Sequence, residues 1–156
     1  MDKKQLILNA AMRLFVEQGF HDTPTSKIAK EAGIANGTLF YFFPTKDDLV
    51  KALYIDLKTQ MGGCVAESIS GEMELKEILR GFYKTSLTWA MEHRPEFAFL
   101  EQFNNSPYAR KIANAEMEIH TQPLLSLLQK GIDDGLLKSL DVDVIYAIVR
   151  GHTFGV

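Results

Sequence analysis

The sequence predicts an all-α fold, and three observations predict it. Apolar residues recur at three- and four-residue intervals through most of the 156 residues. Alternating strand patterns are nearly absent, as are repeats and low-complexity runs. Several glycines and prolines, Gly19, Gly33, Pro44 and Pro95 among them, fall at the ends of the periodic segments, where helix termini take them.

Residues 3–18 place Ile7, Ala10, Ala11, Leu14 and Phe15 on one helical face. Gly19 follows, where a helix C-terminus takes a left-handed residue. The loop FHDTPT leads into TPTSKIAKEAG, whose hydroxyl residues suit N-capping and which stops at Gly33. IANGTLFYFF is a second short helix, ended by Pro44. Thr45 then N-caps a long helix with Asp47 and Asp48 in its favourable first turn. Gly62 and Gly63 predict a kink or an early end there. After the junction SISGE, the segment ELKEILRGFYKTSLTWAMEHR sets Leu75, Ile78, Leu79, Phe82, Leu87 and Trp89 in a broad stripe. Pro95 opens the next helix. Residues 107–134 are helical, with Pro123 expected to break or bend them and Gly131 and Gly135 flanking their end. The last segment, DVDVIYAIVRGHTFGV, is helical as well.

Composition narrows the function classes. An apolar content of 46% with ten Phe can build a real core, which argues against disorder. No apolar run approaches the roughly 18 residues of a membrane span. The N-terminus reads as an amphipathic helix and not as a signal peptide. Cys64 is the single cysteine, which fits a reducing cytoplasm; it reads as a small apolar residue, with a redox sensor second. Net charge is −3, yet residues 1–50 carry six basic and six acidic side chains, so the acidity lies beyond them. A DNA-binding surface needs only a local basic edge, and charge therefore neither supports nor excludes nucleic acid.

Four aromatics in a row, Phe40 to Phe43, raise a geometric question. Successive helical residues turn about 100°, so four cover most of the circumference, and only part of it can face a core. Leu39 and Phe43 share the core face. Tyr41 falls nearly opposite, beside Gly37 and Thr38, with Phe40 and Phe42 on the flanks. Two short helices joined at Gly33 have the outline of a helix-turn-helix, packed through Ile28, Ala29, Ala32, Ile34, Leu39 and Phe43. Tyr41 and Thr38 are then candidates to meet DNA, and a flanking aromatic edge can meet a thymine methyl or the sugar backbone. The alternative is that all four aromatics are core and only the Tyr41 hydroxyl reaches water.

The stretch TSKIAKEAGIANGTLFYFFPTKDDLVKAL resembles the DNA-binding segment of TetR-family transcriptional regulators, and ILNAAMRLFVEQGFHDT resembles their opening helix. The resemblance covers residues 5–54. It implies a helix-turn-helix domain at 1–46 and a helical ligand-binding and dimerisation domain at 47–156. It also implies a cytoplasmic homodimer on a palindromic DNA operator, repressing until a small, largely apolar effector releases it. Thr25, Ser26, Thr38 and Lys46 match family positions that hold phosphates. Asn36, Gly37, Phe40 and Tyr41 match positions near base edges. Phe40 stands where the family commonly has Tyr, and Phe42 where it has Tyr or His, so contacts there become apolar and Lys46 weighs more. The family pairs its last two helices across the dimer. This chain stops at Val156, within what reads as the first of them, so either the pairing differs or, as the favoured expectation, the chain is truncated and its dimer stability affected.

Elsewhere the large side chains are core by default. The resemblance raises Trp89, Phe99 and Phe103, with Phe82 and Met117, as candidates to line an effector cavity. Glu92, Glu101 and Glu116 read as solvated helix faces before they read as partners of a cationic ligand. Glu116 and His120 share a face, but the paired motif of a carboxylate metal bundle is missing, and no metal is expected. No nucleophile–base pair or phosphate-cradling glycine loop stands out, so neither an enzyme nor a cofactor is expected. The competing functions are a ligand-blind regulator or activator, and a helical interaction module or ligand carrier without a DNA role.

Overall fold

The computed structural model describes residues 2–68, 73–111 and 115–154, apart from the side chains of 68, 110, 115–120, 150 and 152–154. The described residues are helices and turns, with no strand among them. The chain divides into two units, Met1–Leu57 with His93–Ile112, and Lys58–Glu92 with Ala113–Val156. These packing units differ from the contiguous halves that a functional division at residue 46 suggests.

The first unit opens with α1 (Lys3–Gln18), which buries Ile7, Leu8, Ala10, Ala11, Leu14 and Phe15 and ends at Gly19 with φ +79°. Thr23 follows, fully buried, and its hydroxyl donates to the Gly19 carbonyl (2.8 Å) and lies 3.2 Å from the Leu14 carbonyl. The hydroxyl therefore ties down the end of α1. The N-cap of α2 (Thr25–Glu31) is Pro24, with no side-chain cap, which corrects the expected hydroxyl N-cap. α2 ends in a Schellman turn: Ile34 N–H donates to the Ala29 carbonyl (3.0 Å) and Gly33 N–H to the Lys30 carbonyl (3.1 Å). Gly33 sits at φ +69°, a conformation that a side chain resists.

α3 (Asn36–Phe42) buries Leu39, and Phe43 at its end is buried too. α4 (Lys46–Ser68) begins with a reciprocal cap, in which Asp48 N–H donates to Thr45 Oγ1 (3.1 Å) and Thr45 N–H to Asp48 Oδ2 (3.0 Å). Residues 46–57 belong to the first unit and 58–68 to the second. The helix runs through Gly62 and Gly63, so no early end occurs there. Leu57 and Met61, both buried, precede the two glycines and anchor the part of the helix that leads into them.

α6 (Arg94–Asn104) packs on α1, with Phe99, Leu100 and Phe103 fully buried. Pro95 lies in its first turn, as expected. Phe99 meets Phe15 and Phe20 at ring-centroid distances of 6.2 and 5.6 Å, and Phe103 stacks on Tyr54 at 4.2 Å. Gln102 Nε2 also donates to the Val16 carbonyl (3.2 Å). α7 (Pro107–Lys111) adds Tyr108, whose ring lies 5.1 Å from Phe20, and Lys111, 3.8 Å from Asp47.

In the second unit α5 (Leu75–Glu92) and α8 (Ala115–Asp133) both pack on α9 (Val142–Phe154). Trp89, Leu128 and Val149 are buried. Leu87, expected in the α5 core stripe, is exposed, as is Cys64 on α4, which is therefore no core residue. α8 continues through Pro123, so the expected break does not occur, and packing on α9 compensates the missing N–H. Gly131 lies inside its last turn, where a Cβ would come within 2.5 Å of Leu75 Cδ2. A second Schellman turn follows, with Gly135 at φ +70°.

Three substitutions test these assignments. Thr23→Val removes the hydroxyl that donates to the Gly19 carbonyl and destabilises the protein by about 1–3 kcal/mol, read from the urea midpoint. Gly62→Ala and Gly63→Ala place methyls in open space and raise stability by about 0.5–1 kcal/mol each. A loss of stability would show that the glycines serve some close approach.

Candidate nucleic-acid interface

Leu39 has no exposure at all, whereas Tyr41 is 83% and Phe40 42% exposed. Phe42 is half-buried, and Tyr41 stands edge-on to its ring at 5.3 Å. The four aromatics thus divide as the 100° geometry expects, and the reading in which all of them are core is excluded. Asn36 and Gly37 are exposed beside Tyr41 and Phe40, while Thr38 is half-buried. The outward face of α3 consequently presents a carboxamide, a bare backbone, an apolar ring and a phenol.

α3 is seven residues long and would not persist alone. Its seat is α2, which packs in turn on α1. The Schellman turn at Gly33 sets the angle between α2 and α3, and an Arg13–Glu31 ion pair links the end of α2 to α1. That pair is exposed, so it contributes little to stability. Thr25 and Ser26 occupy the first turn of α2, Ser26 exposed and Thr25 half-buried. Neither hydroxyl, nor that of Thr38, nor the Asn36 amide, is hydrogen-bonded among the described residues. All four remain available to a ligand.

Lys46 differs. It is half-buried, its ammonium donates to the Phe20 carbonyl, and Nζ lies 5.8 Å from the centre of the Phe15 ring. Burial pushes its pKa below the ordinary value, and the nearby Asp22 and Asp47 carboxylates partly oppose that shift. Lys46 therefore joins the start of α4 to the loop after α1, a role that its spacing in the sequence did not signal. Any phosphate it meets has to share the ammonium with Phe20.

The effector candidates fall in different places. Phe99 and Phe103 are the centre of the first unit's aromatic core. Trp89, buried, and Phe82, half-buried, belong to the second unit. Met117 lies on α8, with its side chain outside the described residues, as are those of Glu116 and His120. Sequence reasoning passed over Ser86. It is fully buried on α5, one turn before Trp89, and its hydroxyl has no partner among the described residues. A serine in an apolar stripe carries no signal until its surroundings are known. No grouping of three metal-ligating side chains occurs among the described residues.

Comparison with known proteins places these features in a family. The profile of bacterial regulatory proteins of the tetR family matches residues 7–53. The crystal structure of a tetR family transcription regulator from Shewanella sp. PV-4 superposes with a TM-score of 0.93 at 32% identity, covering 99% of this chain and 83% of that one. The HTH-type transcriptional repressor KstR2 of Mycolicibacterium smegmatis is 26% identical over 97% of this chain and 76% of its own length. The transcriptional regulator FadR from Bacillus subtilis, crystallised in complex with stearoyl-CoA, gives a TM-score of 0.83 at 25% identity, over 97% of this chain and 83% of that one.

The Lys46 contact predicts a pH dependence. With its folded pKa lowered from 10.5, Lys46 binds fewer protons in the folded than in the unfolded state between the two values. Stability from this group thus rises with pH through that window and levels off above 10.5. Urea titrations of the parent protein and Lys46→Met should diverge in the parent's favour as pH climbs through the window. Parallel curves would place the ammonium in free solvent.

Proposed function

This chain belongs to the TetR family of bacterial regulatory proteins, and from that premise we infer a homodimeric repressor that a small, largely apolar effector releases from a palindromic operator. Sequence-specific DNA binding in transcriptional regulation is the function that its relatives carry. The observation that supports this function most directly is the outward face of α3, polar and aromatic, on a helix whose other side is fully buried. A module without a DNA role has no use for an exposed phenol, ring and carboxamide grouped on so short a helix.

In this reading Asn36, Gly37, Phe40 and Tyr41 approach base edges, with Phe42 bracing Tyr41. Thr25, Ser26 and Thr38 hold phosphates, and Lys46 contributes from its shared position. One seven-residue reader spans only a few base pairs, so two act together, about one DNA turn or a multiple of it apart. The effector site belongs to the second unit, where Trp89 and Phe82 offer apolar contact and the buried Ser86 hydroxyl offers one polar contact. The stearoyl-CoA of the Bacillus subtilis regulator makes a long-chain acyl thioester the first effector to try. α4 contributes to both units and is a covalent route of coupling, which needs about 1–3 kcal/mol to change affinity 5- to 150-fold. The working compartment is the cytoplasm, where the operator lies.

Binding to duplex DNA from beside its own gene should weaken with salt, with a log–log slope of about −0.9 per phosphate contacted. Tyr41→Ala should cost about 1–3 kcal/mol on that fragment while leaving helicity unchanged. A footprint without two-fold symmetry would remove the dimer from this reading, and a salt-independent, competitor-level affinity would favour the carrier.

A further inference from the structure

The reader face is uncharged. α3 has the sequence NGTLFYF, with no Lys, Arg, Asp or Glu. Its exposed residues form one continuous surface, because Asn36 and Phe40 lie one turn apart, as do Gly37 and Tyr41. Gly37 opens that surface, since even a Cβ there would meet nothing within 4 Å. Phe40 keeps much of its ring in water, although Leu39 and Phe43 beside it are buried. Tyr41 is held against the Phe42 ring.

The major groove offers this surface four kinds of edge. Guanine presents two acceptors, O6 and N7, best met by Arg or Lys, and cytosine presents an N4 donor best met by a carboxylate. α3 supplies neither partner. Adenine presents N7 beside an N6 donor, which a carboxamide meets with two hydrogen bonds, and thymine presents a C5 methyl that takes an apolar contact. We propose that this protein reads an A·T-rich half-site, with Phe40 seated on thymine methyl groups and Asn36 meeting an adenine edge. The Phe40 ring then leaves water only when the correct base is present, so its exposure in the free protein serves discrimination. Gly37 lets the helix approach closely enough for that contact. This proposal rests on the DNA-binding reading above and specifies what its surface recognises.

The test selects sites for the full chain from a random-sequence duplex library. The tightest site is then remade with deoxyuridine in place of thymidine, one position at a time. Uracil keeps every hydrogen-bonding group of thymine and lacks only the methyl, so this arm needs no protein variant. An A·T-rich half-site is expected, with at least one position where uracil weakens binding by about fourfold, the worth of one buried methyl. Phe40→Ala, with unchanged helicity, should bind the thymine and uracil sites alike, and Phe40→Leu should keep part of the difference. Selection of G·C-rich half-sites, or a parent protein indifferent to uracil at every position, would overturn the proposal and leave DNA binding intact. Failure to enrich any duplex would overturn the DNA-binding reading, and this proposal with it.

Discussion

Leu39 and Phe43 are buried one helical turn apart, and the position of the reader helix depends on them. Seven residues make too few internal hydrogen bonds to repay helix nucleation, so α3 exists because its inner face is withdrawn from water. Each stage beneath it supports that burial. α2 presents Ile28 and Ala29, the Schellman turn at Gly33 fixes the exit of the chain, and Thr23 closes the end of α1 on which α2 rests. Seen from the DNA side, the outward residues carry little of the folding load. Phe40 and Tyr41 can therefore be substituted at little cost to the scaffold.

The electrostatics are sparing. Positive charge is available at Lys27, Lys30 and Lys46, but Lys27 bonds Gln18 (2.6 Å) and Lys46 bonds Phe20. Neutral donors then matter more than in a strongly basic reader. In the proposed reading the hydroxyls of Thr25, Ser26 and Thr38, without a hydrogen bond among the described residues, are such donors. They add geometry without the long-range attraction that draws a basic protein to any duplex. Such an interface gives up some nonspecific affinity and gains discrimination.

Much of the reader was legible in the sequence because its logic is local. A period of 3.6 residues separates Leu39 and Phe43 from Tyr41, and glycine at position 33 marks a positive φ, whatever lies further away. Features set by distant neighbours were not legible. Gly62 and Gly63 read as a kink or an early end and Pro123 as a break or a bend, yet α4 and α8 both continue through them. Thr23 read as a helix cap, although its hydroxyl turns back to residues 14 and 19. Phe99 and Phe103 read as core by default and as cavity candidates through the resemblance, and nothing in their spacing says that α6 belongs with α1. The Phe20 carbonyl that Lys46 meets lies 26 residues away and leaves no mark on the pattern.

That α6 completes the first unit has a consequence for synthesis. Phe99, Leu100 and Phe103 cover Phe15 and Tyr54, and Gln102 reaches the Val16 carbonyl across 86 residues. The N-terminal helices leave the ribosome first but lack their covering layer until α6 has followed them out. At about 5–20 residues per second, the roughly 50 residues between Tyr54 and Phe103 take several seconds to make. During that interval the aromatic underside of α1 stands open to other chains. The first unit therefore completes its core only after α6 has been made, well after its own N-terminal helices.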